Sequence, residues 1–269
     1  MTTPEVRVTV PALLRKKARG EKIAMLTAYD FPFARIFDQA GIDALLVGDT
    51  MGHVVQGHDT TLPVTLDEVV YHCRMVSRAV RRALVVGDMP FGSYQVSVED
   101  AVRNAIRLMK EGGAHAVKLE GGERVADRIA AFARMEIPVI GHVGLTPQSV
   151  HQFGGYRVQG RGDEGHQRVL RDAQAVEAAG AFAVVLECVP RELAAEITRS
   201  LRIPTIGIGA GAGCDGQVLV MHDVLGLGEV TPPRFARQYV ALGDVVRRAA
   251  EMYADDVRNQ KFPGDVESY

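Results

Sequence analysis

The segment Gly113-Ala-His-Ala-Val-Lys-Leu-Glu120 decides how this chain is read. A glycine suited to stopping a helix is followed by a short apolar run, and the run ends on an acid. The phrase returns as Gly41-Ile-Asp-Ala-Leu-Leu-Val-Gly-Asp49 and as Gly180-Ala-Phe-Ala-Val-Val-Leu-Glu187, so the three glycines lie 72 and 67 residues apart. Each interval holds about two helix–strand units. An acid at the exit of every second buried strand is what a parallel barrel with its chemistry at one rim produces.

Outward from these phrases, short β-branched runs alternate with amphipathic stretches, the pattern of βα units around a parallel sheet. The runs predict strands near 23–28, 44–48, 83–87, 115–119, 138–141, 182–186, 204–207 and 217–221. Eight strands close a barrel, so the expected fold is α/β: one (β/α)8 TIM-barrel domain over 1–269, with an N-terminal helical segment and a polar C-terminal tail after about Asp255. Thr65 with Glu68, and Ser97 with Asp100, mark helix starts as capping boxes. Segments leaving the strands (49–64, 88–97 and 142–162) are long, whereas those entering them are brief, which gathers the loops at one end.

The totals exclude several classes of function. A chain of 269 residues, 47% hydrophobic, is long enough for such a barrel. With 31 basic against 33 acidic residues there is no electrostatic footprint for nucleic acid. Cys73, Cys188 and Cys214 are too few and scattered for a disulfide framework or a zinc site, which fits a reducing compartment. No apolar stretch has the length to cross a bilayer, and Leu13-Leu14 runs straight into Arg15-Lys16-Lys17, unlike a signal peptide. The expected location is the cytoplasm.

Asp49, Asp88 and Glu120 fall at the exits of strands two, three and four, adjacent around the rim. Three oxygen donors with neither histidine nor cysteine nearby suit a hard cation such as magnesium. Any one of them could instead cap a helix or pair with arginine; three neighbours together are harder to explain so. Lys118 stands two residues before Glu120, and the strand period of two sends both side chains to one side. A lysine facing inward is costly unless paired or used, and it could hold a carboxylate or an enolate oxygen, or only neutralise Glu120. Glu187, among the apolar Leu186, Cys188 and Val189, is a candidate general base, or else a cap for the helix beginning at Pro190. His142 reads as a supporting residue more than as a catalyst. Gly207-Ile-Gly-Ala-Gly211 lacks a P-loop lysine and marks no nucleotide site.

Taken in order, Leu26-Thr-Ala-Tyr-Asp30, Val47-Gly-Asp-Thr50, Gln56-Gly-His-Asp59, Asp88-Met-Pro-Phe-Gly-Ser-Tyr94, Val117-Lys-Leu-Glu-Gly-Gly122, Gly141-His-Val-Gly-Leu-Thr-Pro-Gln-Ser149, Leu186-Glu-Cys-Val-Pro190 and Gly207–Gly211 resemble the ketopantoate hydroxymethyltransferase family from about Lys22 to Asp223. The resemblance implies a magnesium-binding barrel in pantothenate biosynthesis. Such an enzyme transfers a one-carbon unit from 5,10-methylenetetrahydrofolate, a cosubstrate, to 3-methyl-2-oxobutanoate (2-oxoisovalerate). It implies Asp49, Asp88 and Glu120 as metal-side acids, Asp49, Thr50, Asp88 and Lys118 as substrate contacts, Glu187 as proton acceptor, and a homo-oligomer, commonly a decamer. Thr50 stands where the family usually has serine, so its contact carries an extra methyl group. Two alternatives are a 2-oxo acid lyase or mutase of the isocitrate lyase or phosphoenolpyruvate mutase type, though no Lys-Cys-Gly-His segment is present, and a barrel that binds a ligand without catalysis.

Overall fold

The computed structural model describes residues 6–228 and 232–269. They fall into two compact units, Met1–Val220 and Met221–Tyr269. The first opens with α1 (Val10–Arg19) and continues β1 (Ile23–Thr27), α2 (Phe31–Gln39), β2 (Ala44–Val47), α3 (Met51–Val54), α4 (Leu66–Ala79), β3 (Leu84–Asp88), α5 (Val98–Lys110) and β4 (Ala116–Glu120). Then come α6 (Ala126–Arg134), β5 (Val139–Gly144), α7 (Val150–Phe153), α8 (Gly162–Ala178), β6 (Ala183–Glu187), α9 (Arg191–Ser200), β7 (Thr205–Ile208) and β8 (Gly216–Leu219). The second unit holds α10 (Met221–Leu225) and α11 (Leu242–Arg258), and α11 ends close to Asp255, where the sequence predicts the tail to begin.

All eight strands are parallel and pair in chain order, β8 returning to β1, so the barrel is closed. Each sits within a few residues of its predicted position. Helix starts follow the local chemistry. Thr65 and Glu68 exchange side-chain-to-backbone bonds at the head of α4, and the Ser97 hydroxyl accepts the Asp100 N–H at the head of α5.

The barrel interior obeys the strand period of two. Met25, Leu46, Leu84, Val86, Ala116, Ile140, Ala183, Val185, Ile206 and Val218 form one buried cluster, and Val8 and Leu13 join it from the N-terminal segment and α1. At that end Lys16 reaches Asp43 at 2.8 Å and Lys17 reaches Asp215 at 2.7 Å, pinning α1 across the strand entrances. Continuing the inward phase toward the strand exits changes its chemistry. After Val86 comes Asp88, after Ala116 come Lys118 and Glu120, after Ile140 comes His142, and after Val185 comes Glu187. The floor is apolar and the mouth is charged.

Candidate active site

Cross-strand register decides which charged side chains meet. Asp88 pairs with Lys118 across β3 and β4, and Glu120 with His142 across β4 and β5. Lys118 Nζ lies 2.6 Å from Asp88 Oδ1, so the lysine's ion pair is with Asp88 and not with Glu120. His142, expected just beyond strand five, lies inside β5, which runs on to Gly144. Its Nδ1 stands 3.5 Å from Glu120 Oε1 and 3.4 Å from Lys118 Nζ, and its Nε2 is 3.2 Å from Glu187 Oε2. Glu187 is therefore joined to Glu120 through one imidazole.

Backbone geometry secures that junction. Gly144 has φ 92°, and a Cβ there would stand 2.4 Å from the Glu187 carbonyl oxygen, so only glycine lets β5 close onto β6 at this level. Cys188 adopts φ 48°, which costs about 1–2 kcal/mol for a side-chain-bearing residue. Its N–H donates to the Ile208 carbonyl and its own carbonyl accepts the Gln159 N–H, each at 2.9 Å, fixing the exit of β6.

Asp49 follows β2 by two residues and is buried, as are Asp88, Lys118, Glu120 and His142. Its backbone N–H donates to Asp88 Oδ2 at 3.2 Å. Burial and the nearby charges of Asp88 and Glu120 push the Asp49 carboxyl well above its usual range. Burial also raises Asp88, against the pull of Lys118. Glu120 goes the other way: burial is overcome by His142, Lys118 and the Gln148 N–H, which hold it low. Lys118 would lose its proton through burial alone, but Asp88, Glu120 and Asp49 keep it charged. For His142, burial and Lys118 oppose protonation, yet Glu120 and Glu187 win and push its pKa up to about 9.

A cavity of about 40 Å³ is walled by this cluster, by Thr27 and Thr50 from the β1 and β2 exits, and by the apolar Ile208 and Val218. The sequence-predicted residues Asp49, Thr50, Asp88, Lys118, Glu120, His142 and Glu187 all line it. A larger groove of about 460 Å³ lies outside it, beside Tyr94, Arg124, Arg128 and Gln148, and takes only Glu120 from the cluster's acids. Chemistry concentrates in the smaller space.

Two residues at the mouth escaped the sequence reading. Gln148, in the connection after β5, donates its Nε2 to Asp49 Oδ2 at 2.8 Å. Tyr156, further along that connection, places its hydroxyl 3.1 Å from His53 Nε2, and burial with the charges of Asp49, Glu187 and Glu120 raises its pKa. Both lie in the connection between β5 and α8. Gln148 stood within a quoted motif, but a neutral amide gives no chemical signal in one dimension.

The residues present suit a hard divalent cation. Burial first, and then the repulsion among the three carboxylates, raises two of them, and added positive charge would offset both effects. They do not form a ready-made cage: among the described residues no three His, Cys, Asp or Glu side chains are gathered closely enough to enclose an ion.

A closed parallel barrel with this charged cluster at its strand exits defines a (β/α)8-barrel enzyme. Solved structures with the same fold include phosphoenolpyruvate phosphomutase from Streptomyces platensis subsp. rosaceus, at TM-score 0.63 and 15% identity over 93% of this chain and 88% of that one. Another is phosphonopyruvate hydrolase in complex with oxalate and Mg++, at TM-score 0.61 and 15% identity over 96% and 92%.

The sequence profile of ketopantoate hydroxymethyltransferase matches residues 7–265, and the chain belongs to that family. The 3-methyl-2-oxobutanoate hydroxymethyltransferase of Syntrophotalea carbinolica is 57% identical over 98% of both chains. That of Geobacter sulfurreducens is 56% identical over 97% of this chain and 98% of its own.

Proposed function

We propose that the chain makes ketopantoate: 3-methyl-2-oxobutanoate, 5,10-methylenetetrahydrofolate and water give 2-dehydropantoate and tetrahydrofolate. Family membership supports the reaction, and the observation that carries the site assignment is the Asp88–Lys118 and Glu120–His142–Glu187 cluster facing one cavity. Asp49 and Asp88 would hold a magnesium ion, with Glu120 beside them. Held there, it would supply Lewis-acid charge to a bound 2-oxo acid. Mg²⁺ commonly takes one or two carboxylates and completes its shell with substrate and water, which suits acids that do not form a cage.

The protein's own groups do the rest. Glu187 accepts the C3 proton, and the C3–H electron pair moves toward the keto oxygen. Lys118, kept charged by its carboxylate neighbours, stabilises that developing oxyanion. His142 orients the Glu187 carboxylate. Water hydrolyses the two N–CH₂ bonds of the folate, which leaves as tetrahydrofolate; C3 adds to the carbonyl carbon so released, and the alkoxide formed takes up a proton to become the new hydroxyl. Thr50 lines the cavity and would offer a hydroxyl and a backbone N–H to the substrate. The same reading takes the cytoplasm as the compartment and a homo-oligomer as the working form; no described helix is long and apolar enough to cross a membrane.

The test separates the two halves of the reaction. With Mg²⁺ in D₂O and folate absent, the enzyme should exchange the C3 proton of 3-methyl-2-oxobutanoate, followed by NMR. Adding methylenetetrahydrofolate should yield 2-dehydropantoate. Absence of both exchange and product would defeat the reading.

A further inference from the structure

Gln148 is the buried hub of the acid cluster. It comes from a single 3₁₀ turn (Pro147–Ser149) after β5, it is 6% exposed, and its amide is committed on both sides. Nε2 donates to Asp49 Oδ2 at 2.8 Å and to the Met89 carbonyl at 3.0 Å. Oε1 accepts from the Tyr94 hydroxyl at 2.6 Å and from Gln95 Nε2 at 3.3 Å. Its backbone N–H donates to Glu120 Oε2 at 3.0 Å. One residue thus ties the carboxylate after β2, the backbone after β3 and the acid that ends β4.

The chemistry of each partner fixes the amide's orientation. A carboxylate is acceptor-only, so Asp49 demands the NH₂ end, and the opposite oxygen is left for the Tyr94 O–H. Tyr94 is itself fixed: its hydroxyl lies 3.2 Å from both the carbonyl and the N–H of Glu120. Leucine would fill the space without donating. Glutamate would add a fourth carboxylate to a cluster that is already crowded. Gln148 holds one oxygen of Asp49 and one of Glu120, while the second oxygen of Glu120 faces His142 Nδ1 at 3.5 Å.

We propose that Gln148, braced by Tyr94, is a positioning residue that presets the Asp49 and Glu120 carboxylates for a divalent cation. The inference rests on the reading that these acids serve the metal. Loss of such an outer partner typically weakens metal affinity by about 10–100-fold.

Mn²⁺ serves as the probe, titrated against the full-length protein without substrate and followed by EPR. Gln148→Leu should bind Mn²⁺ at least about tenfold more weakly than the parent, Tyr94→Phe should lose less in the same direction, and both should keep the parent's circular dichroism spectrum. In turnover the Mg²⁺ concentration at half-maximal rate should rise more than kcat falls. A folded Gln148→Leu with parental Mn²⁺ affinity overturns the inference alone, because Asp49→Ala would still test the metal reading. If Gln148→Leu does not fold, Tyr94→Phe decides, and parental affinity in it overturns the proposal. A parent that binds no Mn²⁺ overturns both.

Discussion

His142 Nε2 lies 3.2 Å from Glu187 Oε2, while the other nitrogen of the same ring faces Glu120 Oε1 at 3.5 Å. The imidazole therefore couples the acid on β6 to the acid on β4, and the two halves of the proposed chemistry share a side chain. Both side chains line the cavity, and Glu187 is the more open of the two, with its side chain 16% exposed against 3% for His142. The carboxylate is the better placed to touch a substrate. The imidazole is the better placed to direct it.

Glu187→Gln should keep the hydrogen-bonding size but lose the capacity to accept a proton. The variant should bind 3-methyl-2-oxobutanoate and Mg²⁺ normally, yet exchange the C3 proton at least about 100-fold more slowly. His142→Asn should show a smaller loss, since only orientation is removed. NMR exchange rates decide between them, and a greater loss in the histidine variant would reverse the two roles.

The metal side has a different signature. Asp49→Ala and Asp88→Ala should weaken Mg²⁺-dependent substrate binding, read by calorimetry, without unfolding the barrel. Lys118→Met should instead lower exchange and hydroxymethyl transfer in the same proportion, because both pass through one oxyanion. Unchanged Mg²⁺ titrations in both aspartate variants would remove them from the metal.

The barrel is legible because most of its strands are buried on both sides and read as apolar runs, four of which lead to the acids Asp49, Asp88, Glu120 and Glu187. The inward phase of Lys118 and Glu120 followed from their spacing of two. Register was not legible. Which residue of β3 meets which of β4 depends on how the closed sheet is sheared, so the sequence leaves the partner of Lys118 open and gives no sign that Asp88 stands opposite it. His142 was placed outside its strand because Gly141-His-Val-Gly144 is a weak strand signal, and only pairing of Gly144 with Glu187 extends β5 that far. Gln148 and Tyr156 acquire meaning from loop paths that tertiary contacts set.

Acid should loosen the fold through His115. Its Nδ1 accepts the Val85 N–H at 2.9 Å and its Nε2 lies 2.6 Å from Arg7 Nη2, and burial, then Arg7, lower its pKa to about 4. An unfolded histidine titrates near about 6.5, so only the unfolded chain takes up this proton between those values. The contribution is complete above pH about 6.5 and is lost as pH falls toward about 4. His115→Asn keeps an acceptor for Val85 but has no proton to gain, and its melting temperature should fall less steeply across that window. Equal slopes in the two proteins would take His115 out of the acid response.

At the opposite end of the barrel from Glu187, Asp43 should govern stability and leave the chemistry alone. Its carboxylate is 4% exposed and receives Lys16 at 2.8 Å, Arg82 at 3.0 Å and the Ala24 N–H at 3.0 Å. The two cations are about a quarter exposed and can return to water, but Ala24 would lose its acceptor and α1 an anchor. Asp43→Ala should therefore cost about 2–3 kcal/mol, in the range for a lost buried hydrogen-bonded network. For a chain of this size that lowers the melting temperature by roughly 4–12 °C. Below the melt, the exchange rate and Mg²⁺ requirement should match the parent, since strand entrances in such barrels carry stability and strand exits carry catalysis. A folded Asp43→Ala with altered Mg²⁺ dependence would show that the two ends are coupled through the strands.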